Sequence, residues 1–147
     1  MKYHQGKFIP KNPEKYVGNT TEIVFRSSWE RKAMIFFDEN PNVTKWASEE
    51  IIVPYISPLD GREHRYFPDF VIEVNDREGR TRKIMVEIKP HVQCSPPKQK
   101  KQTKRMITEM STYMVNSAKW AAAVVFCNRV GMEFKILTEY ELGVAKR

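Results

Sequence analysis

Asp69, Glu87 and Lys89 are charged residues in places where this 147-residue chain is otherwise apolar. Asp69 lies within Tyr66-Phe67-Pro68-Asp69-Phe70-Val71-Ile72, and Glu87 and Lys89 close the run Ile84-Met85-Val86-Glu87-Ile88-Lys89. Both runs read as strands, where an unpaired charge is costly. The polar, glycine-containing stretch Asn75-Asp76-Arg77-Glu78-Gly79-Arg80 between them predicts an antiparallel hairpin. If the hairpin turns symmetrically about Glu78, position 69 stands opposite position 87, which puts both carboxylates on one face. Strand side chains alternate with period two, so Lys89 points the same way as Glu87. Two carboxylates held together repel and raise their own pKa values unless a cation lies between them. Mg²⁺ suits such a site, because it takes a few carboxylates and completes its shell with water and phosphate oxygens. The chemistry implied is attack of an activated water on a phosphate, with Lys89 orienting the nucleophile or stabilising the transition state. The plainer alternative makes Glu87 and Lys89 a solvent-facing pair at a strand end and Asp69 the opening of a turn after Pro68.

Glu30 has two readings. Ser27-Ser28-Trp29-Glu30 carries the Ser-x-x-Glu spacing of a capping box, in which the glutamate serves a free backbone N–H at a helix start. Glu30 could instead lean over the sheet as a third metal ligand.

The elements that must hold these residues follow from periodicity. Residues 1–22 are rich in lysine, contain Pro10 and Pro13 and lack large aliphatic runs, which reads as an extended, solvated basic arm ahead of one domain over 23–147. A helix begins at Ser27 or Ser28, runs through Trp29, Ala33, Met34, Phe36 and Phe37, and stops at Asn40-Pro41. Strands are expected at residues 43–47, 50–56, 65–74 and 83–89. A second helix is expected after Ser95-Pro96-Pro97 and as far as about Ala118, with Met106, Ile107, Met110, Tyr113 and Met114 as a packing stripe. Residues 121–127 read as a strand covered on both faces, 133–137 as another strand, and 139–142 as a short terminal helix. This order implies an α/β fold, a mixed sheet flanked by helices in a single domain.

The chain holds 25 Lys+Arg against 18 Asp+Glu, a net charge of +7 that suggests an anionic partner such as nucleic acid. Lys98, Lys100, Lys101, Lys104 and Arg105 gather at the expected start of the second helix, where cations oppose the helix dipole. Lys98, Lys101 and Arg105 would share one helical face, and phosphate binding would explain them; a solvated face is the alternative. His64 and His91 could assist proton transfer or contact phosphate, although lone surface histidines are commoner. Cys94 and Cys127 show neither zinc-site spacing nor a disulfide framework, which points to a reducing, intracellular setting. The longest apolar run, residues 121–127, is too short to cross a bilayer, and no membrane or export signal is expected.

The succession Phe25-Arg26-Ser27-Ser28-Trp29-Glu30, Asn40-Pro41-Asn42-Val43, Trp46, Tyr66-Phe67-Pro68-Asp69-Phe70 and Val86-Glu87-Ile88-Lys89-Pro90 resembles the restriction-endonuclease-like superfamily, with its P-D…(D/E)-x-K signature. Within it the chain resembles the head-completion nucleases of tailed phages and the related nuclease subunit of heteromeric cut-and-paste transposases. The resemblance implies a restriction-endonuclease-like fold and Mg²⁺-dependent hydrolysis of DNA phosphodiester bonds, with Mn²⁺ an expected substitute. It implies that Asp69, Glu87, Glu30 and the backbone carbonyl of Ile88 hold the metal, that Lys89 is the catalytic lysine, and that Arg26 and Ser27 support Glu30 or contact DNA. DNA is then the substrate, and phage head or portal and neck proteins are candidate partners. The setting would be the host cytoplasm or the virion, and the work the processing of DNA ends during head completion and virion assembly. A non-catalytic DNA-binding virion protein, or a junction-resolving or repair nuclease of the same superfamily, are the competing functions.

Overall fold

A computed structural model describes residues 5–98 and 101–146. Its centre is a four-stranded sheet with β3 (Val43–Ser48), β6 (Phe70–Asn75), β7 (Thr81–Ile88) and β8 (Glu133–Leu137) in the order β3-β6-β7-β8. The first three are antiparallel neighbours, and β8 runs parallel to β7. A parallel neighbour needs a long crossover, which helix α2 (Lys104–Val130) supplies. Two short ribbons complete the fold: β1 (Gly6–Lys7) with β2 (Val24–Phe25), and β4 (Val53–Ile56) with β5 (Glu63–Tyr66).

Helix α1 (Ser28–Glu39) starts where a capping residue is available: Ser27 is extended, and its Oγ accepts the Glu30 N–H at 3.1 Å. It ends at Asn40, which is extended as a residue before proline must be. Its buried face, Ala33, Met34 and Phe37, packs on the sheet with Trp46, Phe70, Ile72, Ile84, Val86 and Ile88. The odd positions of β7 face the other way. Met85 joins Val53, Tyr55, Tyr66, Ala123 and Cys127 in a second core between the sheet, the β4–β5 ribbon and α2.

Several sequence expectations are corrected. Residues 65–74 are not one strand: Tyr66 ends β5 and Phe70 begins β6, because buried Pro68 has no N–H for a ladder. The 50–56 strand shortens to β4, since the chain bends at Glu49, which sits at φ +53°. Residues 121–127 are helical rather than a strand. Asn116, Ala123 and Cys127 are buried and Trp120 is partly so, a four-three-four spacing, and no Gly or Pro intervenes before Gly131, which caps the helix at φ +75°. The apolar run looked two-sided because Val124 and Val125 lie on the exposed face. At the other end α2 begins at Lys104, not after Pro97, since Thr103 is the residue whose hydroxyl caps it, accepting Met106 N–H at 3.1 Å. The terminal helix expected at 139–142 is a set of turns that ends at Gly143, φ +72°.

Residues 5–22 of the expected solvated arm are docked. Phe8 is buried, and Phe8 and Tyr16 meet Trp46 edge-on at 5.7 and 4.7 Å between ring centroids. Buried Asp38 accepts the backbone N–H groups of Lys11 and Asn12 at 2.8 and 3.1 Å. Lys15 Nζ donates to the carbonyls of Phe37, Asp38 and Asn40 at 2.6, 2.8 and 2.9 Å, which closes the C-terminal end of α1.

Candidate active site

The β6–β7 hairpin has the symmetric register: Phe70 pairs with Val86 and Asn75 with Thr81. One step beyond the ladder this brings Asp69 opposite Glu87. Asp69 Oδ2 accepts the Ile88 N–H at 2.7 Å, and Asp69 O accepts the Glu49 N–H at 3.1 Å, so its backbone and side chain are both pinned. Glu87 is 6% exposed and lies on the Met85 face of β7. Lys89 Nζ stands 3.6 Å from Glu87 Oε2, with its side chain about a quarter exposed at 23%. The Lys89 N–H continues the parallel ladder to Leu137 O at 3.0 Å, which fixes the backbone from which the lysine springs.

The electrostatics are those of crowded acids. Burial first, then Glu87, then Glu30 push the Asp69 carboxyl well above its usual range, against the lowering effect of the Ile88 N–H. Glu30 is raised too, chiefly by burial and also by Glu87, while the Arg26 N–H and charge oppose this. Glu30 Oε1 is 3.5 Å from the Arg26 N–H, a loose contact compared with the Ser27 cap on the same turn. Glu30 therefore stands at the start of α1 within electrostatic reach of both other acids. Glu87 Oε1 is buried without a hydrogen-bond partner, and so is the Tyr66 hydroxyl. Burial, Glu87 and Asp69 drive that hydroxyl far above its ordinary range.

A divalent cation would remove the strain the acids create, and the orphaned Glu87 oxygen is a donor of the kind it needs. Among the described residues no three acid, His or Cys side chains already stand together as a ready-made cage. Asp69 and Glu87 could thus hold a hard cation only if water and substrate oxygens filled the rest of its shell.

Other sequence candidates lie apart from this group. The helical face proposed for Lys98, Lys101 and Arg105 does not exist: Lys98 and Lys101 precede α2, all three are exposed, and Arg105 pairs with Glu109 at 2.9 Å. Lys100, of the same cluster, and Lys2, of the arm, lie outside the described residues. Arg26 is ion-paired with Glu49. His64 meets Asp60 at 2.7 Å at the tip of the β4–β5 ribbon, and His91 packs on Tyr140 at 5.3 Å. Sequence reasoning missed Tyr66, Glu49 and Lys119. Lys119 Nζ lies over the rings of Tyr66 and Tyr55 at 5.8 and 5.9 Å, an approach from α2 that no local pattern signals.

The family model described as TnsA-like endonuclease N terminal matches residues 40–139, from the end of α1 through β8. The chain belongs to the TnsA-like endonuclease family. It is also 36% identical over 141 residues to the head completion nuclease of Enterobacteria phage T4, an overlap of 92% of this chain and 91% of that one. A TnsA-like chain is a nuclease, and its mixed sheet between two helices is the restriction-endonuclease-like fold that the resemblance implied. The family match contains Asp69, Glu87 and Lys89, while Glu30 precedes it. Among the described residues no helix is long and apolar enough to cross a membrane.

Proposed function

We propose that this TnsA-like nuclease is a Mg²⁺-dependent deoxyribonuclease that processes DNA ends during phage head completion. The observation that carries the reading is the convergence of Asp69, Glu87 and Lys89 at the end of the β6–β7 hairpin, where one Glu87 carboxylate oxygen is buried without a hydrogen-bond partner. The phage setting rests on the similarity to the T4 head completion nuclease.

Hydrolysis adds water across a phosphodiester: the water oxygen bonds to phosphorus, one ester P–O bond breaks, the water gives up a proton and the departing oxygen takes one. Bound Mg²⁺ supplies activation of that water and neutralisation of phosphate charge. Asp69 and Glu87 hold it, Mn²⁺ substitutes, and the Ile88 carbonyl and Glu30 are the further donors proposed. Asp69 has a second task, since its bond to the Ile88 N–H fixes the chain between Glu87 of β7 and Lys89. Lys89, partly exposed and tethered by Glu87, stabilises the charge that grows on the phosphate oxygens. Arg26, Lys98, Lys101 and Arg105 are proposed contacts to the DNA backbone; for Arg26 this requires exchanging Glu49 for phosphate. DNA is the proposed partner, with phage head or portal and neck proteins alongside it and a host-cytoplasm or virion location.

Purified protein incubated with linear, circular, nicked and branched DNA, with Mg²⁺ or with EDTA, tests this reading. Cleavage in Mg²⁺ that EDTA abolishes is expected. Retention of full cleavage in EDTA, or none on any of the four DNAs with Mg²⁺ present, overturns it.

A further inference from the structure

Tyr66 and Glu87 are neighbours for reasons of chain geometry. Tyr66 is the last residue of β5, and buried Pro68 then turns the chain so that Asp69 can enter the main sheet. Glu87 shares the Met85 face of β7, against which the Tyr66 ring packs in the second core. The ring is 4% exposed and is held from α2 by Lys119, whose ammonium spans its face and that of Tyr55. Such a ring has little freedom to move.

Its hydroxyl and Glu87 Oε1 are both buried and both lack a partner. A buried polar group without a partner is costly, and native folds keep few of them. Here a lone donor and a lone acceptor are brought together, and both Glu87 and Asp69 act on the hydroxyl. We propose that Tyr66 is a positioning residue for this nuclease: in the metal-loaded enzyme its hydroxyl donates to the Glu87 carboxylate and fixes the orientation in which Glu87 meets the divalent cation. This rests on the metal-dependent reading above. Loss of a group that orients a metal ligand in this way typically costs about ten- to a hundredfold in metal affinity or activity.

Tyr66→Phe removes only the hydroxyl and keeps the ring, the core packing and the Lys119 contact. Titration calorimetry with Mn²⁺ alone, without DNA, is read beside the metal-free melting temperature. The expected result is a folded variant whose metal-free melting temperature is unchanged or raised, with Mn²⁺ affinity reduced roughly ten- to a hundredfold. In turnover, kcat should fall while KM for DNA holds. Wild-type Mn²⁺ affinity and kcat in the variant, with a raised melting temperature, would show the hydroxyl to be a passive buried group and overturn the inference. Failure of the wild-type protein itself to bind Mn²⁺ overturns the metal-dependent reading and this inference together.

Discussion

At the scale of residues, the site is a set of acids held together at a cost. Folded Asp69 takes up its proton at higher pH than an unfolded aspartate, whose pKa is about 3.9. The folded state therefore holds more protons than the unfolded chain above that pH. The stability Asp69 contributes is fully present below about pH 4 and is lost as pH rises through its raised value. Glu30 acts in the same direction. Glu87 and Glu30 face Asp69 with negative charge, the Ile88 N–H opposes them, and Lys89 is engaged by Glu87. Asp69→Asn should consequently stabilise the metal-free protein near neutral pH, on the order of 1–2 kcal/mol or about 2–8 °C, and flatten the loss of stability between mildly acid and neutral pH. Thermal melts over a pH series in EDTA measure this, and an unchanged or lowered neutral-pH melting temperature would count against the crowding. Glu30→Gln separates the two roles of that residue. A glutamine serves equally well in a capping box, so a purely structural Glu30 predicts normal cleavage. The loose 3.5 Å contact to Arg26 and the coupling to Asp69 and Glu87 favour the other outcome, a loss of about 10²-fold or more in cleavage with normal folding. The Asp69–Glu87 pairing was legible in the sequence because a symmetric turn transmits register over the whole hairpin. Tyr66 was not, because Pro68 breaks the alternation that would have related it to Asp69.

Among the elements, α1 must be held firmly because it brings Glu30 to the sheet. Its far end is fixed by the N-terminal segment, whose Lys15 ammonium serves three carbonyls at the negative end of the helix. Burial lowers the Lys15 pKa, against the raising effects of Asp38 and Glu14. Lys15→Met should leave those carbonyls without this donor and cost roughly 1–2 kcal/mol, about 2–8 °C in melting temperature. A melt indistinguishable from wild type would mean that water replaces the ammonium fully. Helix α1 was readable from its flanks, a serine cap and Asn40-Pro41. Helix α2 was misread because its exposed face carries Val124 and Val125, so residues 121–127 lost their helical periodicity. The docking of residues 5–22 was hidden for a different reason. It rests on contacts from Phe8 and Tyr16 to Trp46 and from Lys11, Asn12 and Lys15 to residues 37–40, and such long-range partners leave no periodic trace.

For the molecule as a whole, the sheet is the device that unites two differently built halves. The α1 side is aromatic and aliphatic, with Phe37, Trp46 and Phe70 in mutual contact, and gives the hairpin a rigid backing. The α2 side carries Tyr66 and the face from which Glu87 projects. The net charge of +7 suits an anionic substrate, and the basic stretch before α2 lies in the connection that follows β7, beyond the short turn at His91–Cys94. The central claim is that Asp69, Glu87 and Lys89 form one hydrolytic centre, and it is tested most directly by the rate of cleavage of linear duplex DNA in Mg²⁺ by Lys89→Ala. That variant leaves both acids in place and removes only the cation proposed to stabilise the transition state. The account predicts a folded protein with Mn²⁺ binding retained and cleavage reduced by at least about 10²-fold; a folded Lys89→Ala protein that cuts at the wild-type rate would contradict it.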